Sequence, residues 1–265
     1  MVRAAMTIAG SDSGGGAGIQ ADLKTFSALG VFGTSAITAI TAQNTVDVTA
    51  VEVLPNEAIA AQIAAVLDDI DIHAIKIGML GSPALIETVA RSIEGFDGPV
   101  VLDPVMLSKS GVALLPDDAV DALVSVLVPR ATVVTPNLPE AARIVSEDGP
   151  STDEGTQAQG RRILDLGAQA VVMKGGHAEG EICRDWLITA DYAVSFEAPR
   201  IDTRNTHGTG CSMSSAIAAE LAKGAALTDA VGTAHNWLHQ AILAADDIDI
   251  GKGHGPVHHF HALWS

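Results

Sequence analysis

The residue types best suited to chemistry lie in residues 202–224, where a polar segment containing H-G-T-G-C precedes an alanine-rich run over 212–223. This pattern predicts a loop that leads into the N-terminus of a helix, and Gly224 marks the expected end of that helix. The first turn of a helix has unpaired N–H groups and the positive end of the helix dipole, so the approach through 208–210 could bind an anion, with phosphate the obvious candidate. A tight turn before a core helix would show the same short glycine motif, and the rest of the chain must decide between these interpretations.

Three further polar side chains follow predicted strands. Asp103 and Glu140 are carboxylates that could hold Mg²⁺ directly or through water, because this ion keeps several waters and takes few protein ligands. Lys174 precedes two glycines and could reach phosphate oxygens as a point charge. A metal ion, a lysine and an anion site at a helix end are together typical of phosphoryl transfer.

These residues belong to a regular alternation of predicted strands and helices. The strands that alternate with helices are predicted at 6–10, 74–79, 100–105, 132–136 and 170–174. This alternation predicts an α/β fold with a mainly parallel sheet, helices on both faces and ligand groups at the carboxyl ends of the strands. Antiparallel pairs are expected for 35–43 with 48–54, as a hairpin or flap, and within 182–196. Without a linker or an internal repeat, residues 1–265 are expected to form a single domain.

The boundaries of several helices can also be predicted. Asn56 is expected to cap a helix over 56–67, further helices are predicted at 19–29, 83–93 and 117–128, and the polar segment 147–156 is expected to be a surface loop. The glycine loop before the first helix has neither the G-x-G-x-x-G spacing of a dinucleotide-binding loop nor the G-K-[ST] of a P-loop. Both of those nucleotide-binding classes are therefore excluded for this loop.

The charge balance limits the partners of the protein. Lys and Arg number 15 against 32 Asp and Glu, which gives a net charge of -17 and argues against binding nucleic acid or an anionic membrane through a general positive field. The chain has no uninterrupted apolar run of membrane-spanning length, and its first nine residues are too short for a signal peptide. We therefore expect a soluble cytoplasmic protein, with its two cysteines reduced.

Ordered motifs along nearly the whole chain resemble one enzyme family. They are A-G-S-D-S-G-G-G-A-G, T-A-Q-N-T, K-I-G-M-L, D-P-V-M, T-P-N-L-P-E-A, M-K-G-G-H, N-T-H-G-T-G-C and G-P-V-H-H-F-H. This set is similar to the bacterial hydroxymethylpyrimidine/phosphomethylpyrimidine kinases of thiamine biosynthesis, which have a ribokinase-like, three-layer α/β/α fold. The resemblance implies ATP and Mg²⁺ as cofactors, a homodimer, and phosphorylation of 4-amino-5-hydroxymethyl-2-methylpyrimidine to the monophosphate and then to the diphosphate.

The same resemblance implies roles for individual residues. Those expected to surround the pyrimidine are Gln43, Asp22, Met79, Gly10 and Val105. Those expected at the nucleotide are Lys174, Asn137 and Thr209, with Asp103 and Glu140 organising the metal. The catalytic group is implied to be the anion hole of Gly208, Thr209 and Gly210 with Cys211 and Lys174. A carboxamide such as that of Gln43 can match the amino group and ring nitrogen of an aminopyrimidine.

Cys211 occupies the position where the wider ribokinase pattern has an aspartate that serves as base. A thiol at a helix N-terminus can have its pKa lowered, and Cys211 could then accept the proton of the substrate hydroxyl. The alternative is that Cys211 is a small buried hydrophobic residue.

Two other functions fit the same sequence. A pyridoxal or pyridoxine kinase would also phosphorylate a hydroxymethyl group beside a heteroaromatic ring, and a regulator could keep the pyrimidine pocket without catalysis. His235 and His239 have helical spacing but no carboxylate motif between them, which argues against a metal site. His258, His259 and His261 belong to the family motif and are expected to be structural or to line the pocket.

Overall fold

A computed structural model describes residues 2–106, 115–177 and 180–264 of the chain. Its sheet has nine strands in the described residues: β1 (Ala4–Asp12), β2 (Phe32–Gln43), β3 (Val48–Val53), β4 (Ile72–Ile77), β5 (Val100–Leu102), β6 (Val133–Val134), β7 (Ala170–Met173), β8 (Ile182–Thr189) and β9 (Ala193–Pro199). The α-helices are α1 (Gly18–Ala28), α2 (Asn56–Leu67), α3 (Pro83–Ser92), α4 (Asp117–Ala122), α5 (Leu138–Ile144), α6 (Asp153–Asp165), α7 (Thr209–Ala222) and α8 (Leu227–Leu243).

The strands are arranged in the order β3-β2-β1-β4-β5-β6-β7-β8-β9. From β2 to β7 every neighbouring pair is parallel, whereas β3 is antiparallel to β2, and β8 and β9 form an antiparallel pair beyond β7. The predicted mainly parallel sheet with its antiparallel flap is therefore confirmed. The carboxyl ends of the parallel strands share one edge, as the sequence requires for the polar residues that follow them.

Side chains of the central strands alternate between two hydrophobic cores. Met6 and Ile8 of β1 pack with α2 to α6 on one face, and Ala5 packs with α1, α7 and α8 on the other. Because these strands are covered on both faces, they read as nearly continuous apolar runs. The result is the predicted three-layer α/β/α arrangement.

The α7 side of the sheet is built from small residues. Ten residues of α7 are buried, many of them alanine or serine, so this helix is enclosed on nearly all sides and packs against β4 and β5. Small side chains allow a close approach between helix and sheet. They bring the N-terminus of α7 to the carboxyl edge of the strands.

Three boundaries differ from the sequence prediction. Asn56 does not cap α2: the N-cap is Pro55, no side chain caps it, and Asn56 is the first helical residue. The segment 147–156 is not all loop, because Thr152 accepts a hydrogen bond from the Gly155 N–H and starts α6 at Asp153. The helix predicted over 117–128 is α-helical only to Ala122 and continues as a π-helical stretch to Leu127, before Pro129, which has no N–H to extend it.

Candidate active site

The ends of β5 and β7 place a carboxylate and an ammonium group in contact. Lys174 Nζ donates to Asp103 Oδ1 at 2.9 Å, and both side chains are largely buried. A Cβ atom added to Gly210 would lie 3.3 Å from Lys174 Nζ and 3.8 Å from Asp103 Oδ2. The structure thus brings three residues predicted from separate motifs to one point.

The charges of this pair stabilise each other. Burial disfavours the charged form of Asp103, but the attraction of Lys174 and Lys76 outweighs it and holds the pKa of the carboxyl below its usual value. Burial likewise disfavours the ammonium group of Lys174, and the charges of Asp103 and Glu140 outweigh it and raise its pKa. Lys174 is therefore a fixed cation at the site, as contact with phosphate oxygens requires.

The N-terminus of α7 has no side-chain cap, and its N-cap is Gly208. The N–H of Ser212 donates to Gly208 O, and that of Thr209 makes a long contact of 3.4 Å with Thr206 O. The N–H groups of Gly210 and Cys211 have no partner among the described residues. Free N–H groups at the positive end of a helix are suited to bind an anion, which is the predicted property of 208–210.

Gly208 is required at its position by geometry. Its φ is +81°, and an added Cβ would lie 1.8 Å from the carbonyl oxygen of Gly16 in the first glycine loop. A side chain would therefore be strained and would also collide with backbone. The two glycine loops pack directly against each other, which explains why the chain contains both.

Glu140 and Asn137 form a capping box at the start of α5. The Glu140 N–H donates to Asn137 Oδ1 at 2.9 Å, and the Asn137 N–H donates to Glu140 Oε2 at 2.8 Å. Burial raises the pKa of Glu140, and the charge of Asp103 raises it further against the opposing effect of Lys174. A buried carboxyl that is repelled by a second carboxylate is one whose ionised form a divalent cation would stabilise.

The donors at this edge fit Mg²⁺. Asp103 and Glu140 supply oxygen ligands, and no cluster of three or more His, Cys, Asp or Glu occurs in the residues that the structure describes. Because two oxygens of these groups already accept backbone N–H bonds or Lys174, the ion would be held largely through water and phosphate oxygens, as is usual for Mg²⁺.

The environment of Cys211 differs from the prediction. Burial raises the pKa of its thiol to about 11, and the attraction of Lys76 only partly opposes this, while the charges of Asp22 and Asp103 add to it. The expected lowering of the pKa by the helix N-terminus is therefore not found, because desolvation of the thiolate dominates. The thiol is protonated at neutral pH in this structure.

Asp22, which the family resemblance places near the pyrimidine, lies inside the protein. Its carboxylate is 0% exposed, forms an ion pair with Lys76 and accepts hydroxyl hydrogen bonds from Thr7 and Ser215. With its lone pairs occupied in this way, it does not face the open edge. Lys76 was missed by the sequence analysis, because a lysine within an apolar strand gives no sign of the carboxylate on another element that it pairs with.

Of the other residues expected at the pyrimidine, Gly10 and Met79 are in contact. Met79 Cε would be 2.7 Å from a Cβ on Gly10, so that glycine provides the space for the methionine side chain. Gln43 is partly exposed, with its Oε1 accepting from Thr41 Oγ1 at 3.1 Å and its Nε2 3.5 Å from His207 Nε2. Val105, two residues beyond Asp103, is also partly exposed.

Asp12 and His207 connect the two glycine loops and were not assigned a role from the sequence. The Asp12 carboxylate accepts N–H bonds from Gly14, Gly16 and Ala17 and contacts His207 Nε2 at 2.8 Å. Burial disfavours the charged carboxyl, but His207 and these N–H groups lower its pKa overall. An aspartate just before a glycine run is a turn signal that could have been used, whereas nothing in the sequence pairs it with His207.

The C-terminal segment 252–259 contacts both the turn of the flap and α7. The N–H groups of Lys252 and Gly253 donate to Thr45 Oγ1, and the N–H of His254 donates to Thr45 O. His259 Nε2 contacts Ser212 Oγ at 3.0 Å inside the protein. Within the motif G-P-V-H-H-F-H, His259 thus makes a structural contact, and a pocket-lining role of the motif stays a prediction.

The two histidines at helical spacing each contact an oxygen atom of another element. His235 Nδ1 contacts Asp185 Oδ2 at 2.8 Å, and His239 Nε2 contacts the carbonyl oxygen of Pro199 at 3.1 Å. Asp185 Oδ1 in turn accepts the N–H of Gly175 at 2.8 Å. His235 therefore helps to fix the turn that follows Lys174.

The parallel sheet, its antiparallel flap and the glycine-led helix beside Lys174 define a protein of the ribokinase-like class. A model of the phosphomethylpyrimidine kinase family matches residues 12–258. The hydroxymethylpyrimidine/phosphomethylpyrimidine kinase of Rhizobium meliloti is 53% identical over 264 residues, which cover 100% of this chain and 99% of that protein. The chain belongs to the phosphomethylpyrimidine kinase family.

Solved structures agree with this assignment. The pyridoxal kinase of Bacillus subtilis in an ADP complex superposes with a TM-score of 0.92 at 38% identity, covering 100% of both chains. The phosphomethylpyrimidine kinase of Clostridium difficile 630 superposes with a TM-score of 0.81 at 44% identity, covering 91% of this chain and 99% of that chain.

Proposed function

We propose that this protein transfers the terminal phosphoryl group of ATP to the hydroxymethyl group of 4-amino-5-hydroxymethyl-2-methylpyrimidine, and then phosphorylates the monophosphate to the diphosphate, as a step of thiamine biosynthesis. The observation that carries the proposal is the uncapped N-terminus of α7 beside Lys174 and Asp103. Family membership supports the choice of the pyrimidine, since the Rhizobium meliloti relative is named for both substrates.

Different residues have different roles in the first phosphoryl transfer. Lys174 and the free N–H groups of Gly210 and Cys211 bind the phosphate oxygens, where negative charge develops as the phosphoryl group moves. The substrate oxygen forms a bond to the terminal phosphorus, the bond from that phosphorus to ADP breaks, and the thiolate form of Cys211 is the proposed acceptor for the hydroxyl proton. Gln43 orients the aminopyrimidine through its carboxamide.

The metal has a separate task. Mg²⁺ held by Asp103 and Glu140 would offset the charge of the nucleotide phosphates. Asn137 Nδ2 has no partner among the described residues and is free to contact the nucleotide, as proposed for Asn137 and Thr209.

The test is mass spectrometry of the products after incubation with Mg-ATP and hydroxymethylpyrimidine. A diphosphate product is expected. Monophosphate alone would restrict the protein to the first transfer. Binding of nucleotide and pyrimidine without any phosphorylated product would favour the non-catalytic regulator instead.

Pyridoxal is a second candidate substrate. The full-length superposition on a pyridoxal kinase of Bacillus subtilis supports this candidate. Pyridoxal is therefore assayed in parallel, and we expect a lower kcat/KM for it than for hydroxymethylpyrimidine. A higher value would reverse the assignment.

We also propose that the protein is a cytoplasmic homodimer. The edge strand β3 exposes Val51 and Val53 on the same face, 46% and 57% exposed, which a second copy could cover. No helix within the described ranges is long and apolar enough to cross a membrane.

A further inference from the structure

A buried ion pair lies beneath the first turns of α7. Lys76 Nζ contacts the two carboxylate oxygens of Asp22 at 2.9 and 3.0 Å, and both side chains are 0% exposed. The hydroxyls of Thr7 and Ser215 each donate to the same carboxylate at 2.6 Å. One carboxylate therefore connects β1, β4, α1 and α7.

Stability alone does not account for this pair. Removing two charges from water costs several kcal/mol, and replacing a buried pair by apolar residues of similar volume is often neutral or stabilising. The pair lies near the proposed phosphate site, since Lys76 interacts electrostatically with Cys211 and Asp103 as well as with Asp22.

The pair contacts both elements that surround Cys211. Ser215 lies four residues after Cys211 on α7, and Asp22 lies one turn after Gly18, whose N–H favours the thiolate form of Cys211. Lys76 attracts the thiolate of Cys211 and Asp22 repels it, with the effect of Lys76 the larger. A change in this ion pair should therefore change the reactivity of the Cys211 thiol.

We propose that Lys76 and Asp22 are positioning residues for phosphoryl transfer, which fix the first turns of α7 and place one positive and one negative charge beside Cys211. The kinetic consequence rests on the proposed function, because Cys211 affects the rate only if the first transfer uses it. The structural and electrostatic parts can be measured on the thiol itself, without turnover.

The experiment measures the rate of alkylation of Cys211 by iodoacetamide between pH 6 and 10. A Cys183→Ser background leaves Cys211 as the remaining cysteine of the chain. The charged groups that face the thiol are Lys76 on β4, Asp22 on α1, Asp103 beyond β5 and Lys174 beyond β7.

The two single variants should act in opposite directions. Lys76→Met leaves the Asp22 charge uncompensated, and we expect alkylation at pH 8 to slow about tenfold, which corresponds to about one pH unit in the titration of the thiol. Asp22→Asn leaves Lys76 unpaired, and we expect alkylation to accelerate by a smaller factor, because Lys76 has the larger effect on the thiol. Lys223→Met, at the partly exposed far end of α7, is the matched control and should leave the rate unchanged.

The double variant Lys76→Met/Asp22→Asn removes both charges and keeps the approximate shape of the two side chains. It tests the proposal even if a single variant fails to fold. We expect a folded protein with slower alkylation than the parent and a kcat for the first transfer at least about tenfold lower, with little change in KM for ATP.

Either of two results would overturn the proposal. The first is faster alkylation in both single variants, which would indicate only that the packing around Cys211 is loosened. The second is a folded double variant with the alkylation rate and kcat of the parent. Absence of kinase activity in the unsubstituted protein would instead refute the proposed function, and the alkylation data would still stand.

Discussion

The properties of single residues in this site are determined by the competition between burial and neighbouring charge. At Asp103 and Lys174 the attraction between opposite charges outweighs the effect of burial, and both groups are held ionised. At Cys211 the effect of burial is larger than that of the helix N-terminus and Lys76, and the pKa of the thiol rises to about 11. Cys211 can therefore act as a base only through the small fraction of molecules in which it is a thiolate.

Replacement of Cys211 by alanine should affect the two transfers differently. We expect the first transfer to slow about 10²-fold, the range typical of a lost general base. The second transfer should change little, because the attacking phosphate is already ionised. Single-turnover rates with hydroxymethylpyrimidine and with its monophosphate measure this, and Cys183→Ala serves as the control.

The pH dependence gives an independent check of the same role. The thiol pKa is about 11, so at any pH well below this value the thiolate fraction increases about tenfold for each unit by which the pH rises. The first transfer should therefore accelerate from pH 7 to pH 9. This dependence should be absent in Cys211→Ala. An equal loss of both transfers, or an unchanged pH profile, would contradict the assignment of Cys211 as base.

The buried His259 leads to a prediction about the free energy of unfolding rather than about the rate of phosphoryl transfer. Burial lowers its pKa to about 3, with the charge of Lys24 adding to the effect. The folded state thus binds fewer protons than the unfolded state between pH 3 and 6.5, and the free energy of unfolding falls as the pH drops through this range. At pH 5 the loss attributable to His259 should be about 2 kcal/mol relative to pH 7.5.

Urea unfolding at the two pH values tests this, with His259→Gln as the comparison, because glutamine can still accept from Ser212 but does not titrate. The variant should lose about 2 kcal/mol less than the parent on acidification. Equal losses in both proteins would show that other groups dominate acid destabilisation.

At the scale of elements, the site depends on how the two glycine loops meet. The first loop follows β1 and the second precedes α7, and they touch where Gly208 faces the Gly16 carbonyl. Asp12 and His207 hold the same contact through side chains. The anion-binding end of α7 is thereby fixed relative to the sheet.

Gly208→Ala should disrupt this contact. We expect a loss of more than about 3 kcal/mol in the free energy of unfolding and at least about a tenfold rise in KM for ATP, because positive φ and a backbone collision act together. Gly224→Ala is the matched control: its φ is +87°, but an added Cβ would meet nothing within 4 Å. Its cost should be about 1 kcal/mol with an unchanged KM. Urea unfolding and steady-state kinetics provide both quantities, and similar costs for the two variants would mean that the collision is relieved.

At the scale of the whole molecule, one sheet of nine strands runs through the described residues, and its two ends differ in what covers them. The β9 end packs against α8, whereas β3 presents exposed valines. A single domain over residues 1–265 remains a prediction, which a single cooperative unfolding transition would support.

The proposed homodimer predicts that light scattering will give twice the monomer mass. Val51→Lys/Val53→Lys should yield a monomer, because it places two charges in the covered face. Leu243→Lys, at an equally exposed position on α8, should remain a dimer. A dimeric β3 variant would place the interface elsewhere.

The sequence by itself determined the alternation of strands and helices, the antiparallel flap and the start of α7, which depend on local periodicity and on glycine positions that act over a few residues. The family was indicated by the resemblance of ordered motifs along nearly the whole chain. It also placed Asp103, Glu140, Lys174 and 208–211 near one another, because the ends of parallel strands share an edge.

Only the tertiary structure revealed the partners across the chain. The pairing of Asp22 with Lys76, of Asp12 with His207 and of His259 with Ser212 joins residues 54, 195 and 47 positions apart. Such contacts leave no periodic signal in the sequence. The direction of the shift in the Cys211 pKa likewise depends on how much protein surrounds the thiol, and desolvation is a property of the packed structure and not of the helix position that the sequence specifies.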